Sequence, residues 1–170
     1  QTTLAQVASD ELGVRFEDVR VVWGDTDVTP VALIGTGGSR AATMANGGVL
    51  HGSRVLRSKV LALAAELLEA NPDDLQITDG IVSVKGTPRA ALPLSELART
   101  VREEPGRIPP GADADLSVTH TYDGGQSGWS GGTHCCVVEV DPDTGLVSIV
   151  RYLVVEDCGI AVNPAIVEGQ

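Results

Sequence analysis

Helical spacing of hydrophobic residues predicts three helices in this chain. The first is indicated by four apolar positions: Leu4, Val7, Ala8 and Leu12. The second is expected to begin at Ser39 and to end before Asn71-Pro72. Its pair Gly47-Gly48 is unfavourable inside a helix by about 1 kcal/mol per glycine relative to alanine. We therefore expect either a closely packed partner at that pair or a later start of the helix. A third, shorter helix is predicted near residues 93–104.

Short blocks of β-branched and apolar residues predict the strands. Single strands are expected over residues 19–23 and 116–122. Two hairpins are expected, one near residues 75–84 with Asp79-Gly80 as its turn, and another near residues 134–155. Together with the helices, these strands predict an α+β fold, in which helices pack on a mixed or antiparallel sheet.

Composition and charge narrow the class of protein. The length of 170 residues suits a single domain over residues 1–170, and 42% apolar against 21% charged residues predicts a buried core rather than disorder. A net charge of −11 without a basic cluster argues against nucleic acid as a partner. No apolar run approaches the roughly 20 residues that span a bilayer. We therefore expect a cytoplasmic protein with no membrane insertion.

The sequence offers little for a metal site or a catalytic residue. Its three cysteines, Cys135, Cys136 and Cys158, form no C-x-x-C pair, and strand alternation predicts one of Cys135 and Cys136 in the core and the other at the surface. Asp25 and Asp27 could hold a divalent cation, but Gly-Asp-Thr-Asp after a strand is common turn material. His51 and His120 have no partner at a useful spacing. No metal ligand or catalytic residue is therefore assigned.

The strongest candidate for ligand binding is the loop 35–40, with the sequence Gly-Thr-Gly-Gly-Ser-Arg. Glycines allow close approach of a ligand to the backbone, and a helix beginning at Ser39 would direct free N–H groups at an anion. Ser39 and Arg40 add a hydroxyl and a forked cation, which are good partners for phosphate. The residues alone leave two interpretations open: a phosphate-binding loop, or a flexible glycine turn with Ser39 as the N-cap.

Five segments, taken in order, resemble the large subunit of the xanthine oxidase family, particularly its carbon monoxide dehydrogenase-like and aldehyde dehydrogenase-like bacterial members. They are residues 3–8, 17–26, 38–40, 138–145 and 157–170. The resemblance implies a molybdopterin cofactor, usually the cytosine dinucleotide form in bacteria. It also implies which residues lie against the pterin and its phosphates, or lead into the next cofactor loop: Thr36, Gly37, Gly38, Ser39 and Arg40 for the first, and Gln170 for the second.

The reaction that the resemblance implies is oxidative hydroxylation of a small molecule of the aldehyde, N-heterocycle or carbon monoxide type. The oxygen derives from water, hydride passes to a sulfido ligand, and electrons leave through iron–sulfur and FAD subunits or domains. The family's Gly-Gln-Gly loop, glutamine loop and catalytic Glu have no counterpart in these 170 residues. We therefore expect an internal fragment that contributes one cofactor-contacting loop, binds no cofactor alone and is inactive in isolation.

Two other functions remain open at this point. One is a stand-alone interaction domain that forms a homodimer through an exposed strand edge. The other is an independent nucleotide- or phosphate-binding module that uses loop 35–40.

Overall fold

A computed structural model describes residues 1–29, 36–125 and 129–169, apart from the side chains of Pro88 and Arg89. The chain divides into two compact units, Gln1–Gly125 and Gln126–Gln170. The single domain expected over residues 1–170 stays a prediction. The helices are α1 (Thr2–Leu12), α2 (Asn46–Leu68), α3 (Leu94–Glu103) and α4 (Pro164–Gly169), and the strands are β1 (Leu75–Thr78), β2 (Ile81–Val84), β3 (Thr87–Pro93), β4 (Gly131–Val140) and β5 (Val147–Asp157). None of these described helices is long and apolar enough to cross a membrane.

The first helix ends at a glycine that also touches the sheet. Gly13 has φ 71°, and its N–H donates to the carbonyl of Ser9 at 2.9 Å, which closes the helix in the left-handed conformation that glycine favours. The carbonyl of Gly13 in turn accepts the N–H of Gly80 at 2.9 Å. A Cβ atom built on Gly13 would lie 2.9 Å from the carbonyl carbon of Ile77 and would overlap its oxygen. Glycine is therefore required here both for the backbone angle and for the contact with β1.

The hairpin expected near residues 75–84 is confirmed. β1 pairs antiparallel with β2, and the two residues of the turn, Asp79 and Gly80, have φ 50° and 76°. Two successive left-handed residues give a turn whose twist matches that of the strands. A third strand, β3, was not expected from the sequence. It follows a second tight turn at Lys85-Gly86 and pairs antiparallel with β2.

The core of the first unit lies between this three-stranded sheet and helices α2 and α3. Val82 in β2 is fully buried, and Leu63 in α2 and Leu97 in α3 are 2% and 1% exposed. The buried cluster consists of Val60, Leu63, Ala64, Ala65, Leu75, Ile77, Val82, Leu92 and Leu97. An antiparallel sheet with helices on one face is the α+β arrangement that the sequence predicts, and that prediction is confirmed.

The two single strands predicted outside the hairpins are wrong. The chain is extended at Val19 (φ −97°, ψ 117°), yet residues 19–23 pair with no strand in the described part of the chain. Residues 116–122 alternate between half-buried and exposed along most of their length, as a strand does, but they also lie outside both sheets. β-branched residues favour an extended backbone, whereas a strand also needs a neighbour that can complete its hydrogen bonds.

Residues 113–122 instead run along α2, and we call this segment the strap. Lys59 pairs with Asp113 near the start of the strap, with 2.9 Å between Nζ and Oδ2. At the end of the strap, the ring of Tyr122 lies so close to Gly47 that a Cβ built there would be 2.7 Å from Cζ. Because Lys59 follows Gly47 in α2 whereas Asp113 precedes Tyr122, the strap runs antiparallel to the helix. The close partner expected at the Gly47-Gly48 pair is thus confirmed.

The second unit contains the hairpin expected near residues 134–155, which is also confirmed. β4 and β5 pair antiparallel, with a register shift between Val137 and Val138. Every residue of both strands is exposed. The prediction that one of Cys135 and Cys136 lies in the core is therefore wrong, since both are exposed. Strand alternation predicts opposite faces, but it does not predict what covers each face.

Substitution of Gly13 should cost more stability than the same substitution at a glycine with only a backbone requirement. We expect Gly13→Ala to lower the free energy of unfolding by about 2–5 kcal/mol, because a left-handed alanine is strained and its Cβ overlaps β1. The matched control is Gly86→Ala, where φ is 76° but no atom in the described part of the chain lies within 4 Å of the added carbon. This control should lose only about 1–2 kcal/mol. Urea denaturation measures both values, and equal losses would contradict the contact between Gly13 and β1.

Candidate functional site

The loop singled out in the sequence is an exposed turn that leads into a helix. Thr36, Gly37, Gly38 and Ser39 are exposed, and Arg40 is half-buried. The N–H of Arg40 donates to the carbonyl of Gly37 at 3.2 Å. The other two residues assigned to the predicted site region, Gly35 and Gln170, lie outside the described residues.

Ser39 does not cap the helix with its side chain, so this part of the glycine-turn interpretation is wrong. Gly38 and Ser39 both have φ 57°, in the left-handed region. An N-cap residue needs an extended backbone to aim its side-chain oxygen at the first N–H groups. Here the carbonyl of Ser39 accepts the N–H groups of Ala42 and Thr43 at 2.9 and 3.1 Å instead. The N-cap position of the helical turn is Arg40, whose side chain makes no cap hydrogen bond.

The second helix also begins later, and with a different geometry, than the sequence predicts. The first helical residue is Arg40, and residues Ala41–Ala45 form a π-helical turn before α2. This turn is closed by the N–H of Asn46, which donates to the carbonyl of Ala41 five residues earlier. Such turns are rare in proteins as a whole, but those that occur often lie at functional sites.

Asn46 adds a second unusual feature at the same place. Its side chain is 7% exposed, and neither Nδ2 nor Oδ1 has a hydrogen-bond partner among the described residues. A buried polar group without a partner costs about 1–3 kcal/mol. The π-turn and this amide are both energetically unfavourable, and both lie at the start of the helix. Neither feature has a clear signal in the sequence.

Three aromatic rings stack beside this part of α2. The ring of His51 lies between those of Tyr122 and His120, with centroid distances of 5.2 and 5.6 Å and interplanar angles of 19° and 21°. His51 belongs to α2, whereas the other two rings belong to the strap. Sequence spacing could not reveal this group, because its members are about 70 residues apart and meet only through the tertiary fold.

The chemistry open to the loop is that of binding rather than catalysis. A Cβ built on Gly37 or Gly38 would meet no atom of the described residues within 4 Å, so these residues leave the backbone there open to a ligand. The loop stands at the N-terminal end of the helical stretch, where the macrodipole favours negative charge. A hydroxyl from Ser39 and a guanidinium from Arg40 complete a set of hydrogen-bond donors that suits phosphate oxygens. The residues present therefore fit an anionic, phosphate-bearing ligand.

Asp25 and Asp27, the candidate ligands for a divalent cation, form a turn. The carboxylate of Asp25 accepts the N–H of Asp27 at 3.0 Å, which is the turn that the Gly-Asp-Thr-Asp sequence indicates. No group of three or more potential metal-ligating side chains occurs in the described part of the chain.

Ion pairing at the start of the strap changes the titration of one carboxylate. A hydrogen bond from Lys59 lowers the pKa of Asp113, and the backbone N–H of Asp115 lowers it further. Lys59 also donates to the carbonyl oxygens of Asp115 and Ser117 at 3.3 and 3.4 Å. One ammonium group thus holds the first half of the strap against α2.

Comparison with known proteins agrees with the fold. The model of a family described as a molybdopterin cofactor-binding domain matches residues 1–170. The large subunit of nicotine 6-hydroxylase from Paenarthrobacter nicotinovorans is 40% identical, over 100% of this chain and 21% of that protein. The carbon monoxide dehydrogenase large chain of Afipia carboxidovorans is 33% identical, over 100% and 20%.

A solved structure gives the same result at the level of the fold. Quinoline 2-oxidoreductase from Pseudomonas putida 86 matches with a TM-score of 0.83 and 36% identity, over 99% of this chain and 21% of that one. The chain therefore spans about a fifth of the length of the relatives it matches.

Removal of the Lys59 ammonium should release the Asp113 carboxylate. We expect Lys59→Met to raise the pKa of Asp113 toward its ordinary value, as measured by NMR titration of the carboxyl carbon. Asp141 is the internal control, because the N–H groups of Thr144 and Asp143 lower its pKa independently of Lys59. An unchanged Asp113 pKa in Lys59→Met would contradict the ion pair.

The same pair predicts how attachment of the strap depends on pH. The folded pKa of Asp113 lies below its unfolded value, so the pair stabilises the fold fully above about pH 4. The stabilisation is lost as the pH falls through the lowered pKa. The protection factors of the strap amides, which are exchange rates corrected for their intrinsic pH dependence, should therefore fall in acid in the native chain, and much less so in Lys59→Met.

Proposed function

The chain belongs to the family of molybdopterin cofactor-binding domains, and on that premise we propose that its loop 36–40 forms one wall of a molybdopterin site. The observation that carries the proposal is the left-handed pair Gly38-Ser39 directly before a helix. No atom of the described residues lies within 4 Å of a Cβ built on Gly38. A left-handed serine is strained, and strain of this kind is concentrated at ligand-binding sites.

Each residue of the loop has a distinct role in this proposal. Gly37 and Gly38 allow close approach of the cofactor, and the backbone N–H groups together with the Ser39 hydroxyl donate to phosphate oxygens. Arg40 supplies the positive charge. Gln170 leads into a second cofactor-contacting segment. When bound, the cofactor supplies the redox chemistry, whereas the protein binds and orients it.

The form of the cofactor and the whole enzyme are further parts of the proposal. We propose the cytosine dinucleotide form, because a longer phosphate-bearing tail makes use of the donors of the loop. The domain would belong to the large subunit of a molybdenum hydroxylase that works with iron–sulfur and FAD subunits or domains. Relatives named as a large subunit and as a subunit of a dehydrogenase complex support an assembly of several chains. The cytoplasmic location expected from the sequence stays a prediction.

The substrate class expected from the resemblance was an aldehyde, an N-heterocycle or carbon monoxide. Among these, we propose the N-heterocycle. Nicotine and quinoline appear in the names of relatives that are 40% and 36% identical, compared with 33% for a carbon monoxide dehydrogenase. No residue of this chain is assigned to contact the substrate.

The proposal is tested by removing the charge of the loop in the large subunit that carries this domain. We expect Arg40→Gln to weaken retention of the cofactor about ten- to hundredfold, because a hydrogen bond to a charged group contributes about 1.5–3 kcal/mol. Molybdenum and cytidine nucleotide per protein are measured by mass spectrometry. The matched control is Arg20→Gln, which makes the same charge change at an exposed position outside the loop. Equal cofactor content in both variants would sink the proposal.

The 170-residue chain by itself should retain no molybdenum and give no heat on titration with cytidine diphosphate. One wall of a site supplies too few contacts to offset the loss of ligand freedom on binding. Elemental analysis and calorimetry check the two outcomes. Binding of the nucleotide by the isolated chain would instead support an independent nucleotide-binding module.

A further inference from the structure

The ring of Tyr122 fills a notch in α2 that exists only because the helix has no side chain at Gly47. A Cβ on Gly47 would lie 2.5 Å from Cδ1 and 2.7 Å from Cζ of that ring. The ring also stacks on His51, one helical turn further along α2. The three atoms nearest to Gly47 are ring carbons.

The same ring reaches the π-turn through Gly124. A Cβ on Gly124 would lie 3.0 Å from the sulfur of Met44 and 3.1 Å from Cε1 of Tyr122. Met44 belongs to the π-turn Ala41–Ala45, which directly follows the loop. Tyr122 is therefore packed against the first turn of α2, and Gly124 is packed against the π-turn that precedes it.

A π-turn holds one residue more than the α-helical turn into which it could relax. Relaxation at Ala41–Ala45 would rotate every residue on its N-terminal side by about 100° around the helix axis and displace it by about 1.5 Å along that axis. Ser39 and Arg40 would then face another direction. The π-turn directly precedes Asn46, whose buried amide has no hydrogen-bond partner among the described residues.

We propose that Tyr122 is a positioning residue that keeps the π-turn in register and thereby sets the direction of Ser39 and Arg40. The ring acts as a wedge between Gly47 and Gly124, and Gly124 in turn lies against Met44 of the π-turn. The identity of the ligand rests on the function proposed above, whereas the mechanical coupling between Tyr122 and the loop does not.

The coupling is tested by hydrogen exchange with mass spectrometry on the 170-residue chain. In Tyr122→Ala, we expect the amides of residues 40–46 to exchange about tenfold faster, while those of α3 keep their native rates. Tyr122→Phe should exchange like the native chain, because the ring and not the hydroxyl makes the contacts. The matched control is Tyr152→Ala, which removes a tyrosine ring from β5, where its ring contact is with His134.

A second variant covers the case in which Tyr122→Ala does not fold. Gly47→Ala replaces a poor helix former by the best one, so a purely local view predicts slower exchange at residues 40–46. The wedge predicts the opposite, because the added methyl group displaces the ring. Slower or unchanged exchange in Gly47→Ala would overturn the proposal, as would native exchange in Tyr122→Ala or uniform loosening of the whole first unit.

The two proposals fail separately. Exchange at residues 40–46 is measured without any cofactor, whereas the comparison of Arg40→Gln with Arg20→Gln measures cofactor content. Faster exchange with unchanged cofactor content would leave the wedge in place and remove the cofactor site from the loop. Native exchange in Tyr122→Ala with cofactor loss in Arg40→Gln would do the reverse.

Discussion

A helix can be approached closely by another segment only where it carries no side chain, and this constraint shapes the first unit. Gly47, Gly48 and Gly52 carry no side chain where the first two turns of α2 face Tyr122 and His120. The rings of Tyr122 and His120 occupy that side, and the ammonium of Lys59 fixes the same segment further along. Glycine is unfavourable inside a helix, but here it allows the strap to pack almost against the helix backbone. The position of the strap follows from these glycines, and so do the surroundings of the π-turn.

The proposed site combines its own backbone hydrogen bonds with two unfavourable features that the surrounding packing must offset. Ser39 lies in a strained backbone region, and the amide of Asn46 is buried without a partner in the described part of the chain. Both features lower local stability, and the surrounding fold must compensate for them. A loop that is supported by packing on one side can stay open to a ligand on the other. A Cβ built on Gly37 or Gly38 meets no atom of the described residues within 4 Å. Rigidity and accessibility are thus supplied by different segments.

The sequence predicts those features that are decided locally. The Asp79-Gly80 turn specifies its hairpin, and Gly13 specifies the end of α1, because each depends on the backbone preferences of one or two residues. The course of residues 116–122 could not be predicted, since alternating side chains suit the surface of a helix as well as a sheet. The π-turn was missed for a related reason: it depends on a ring about 80 residues away. For the proposed site, the sequence predicts a binding loop, which stays a prediction, but it predicts neither the left-handed Ser39 nor the packing near Tyr122.

The hairpin of the second unit exposes both its strand edges and its apolar side chains. β4 and β5 pair only with each other among the described strands, so each has an unpaired edge. Valine and isoleucine side chains are exposed along both strands, including Val138 and Ile149 opposite one another. Exposed edges rich in such residues are templates for cross-β growth between molecules. Purification should therefore favour low concentration and short storage, and a fusion partner beside the hairpin should improve the yield of dispersed material.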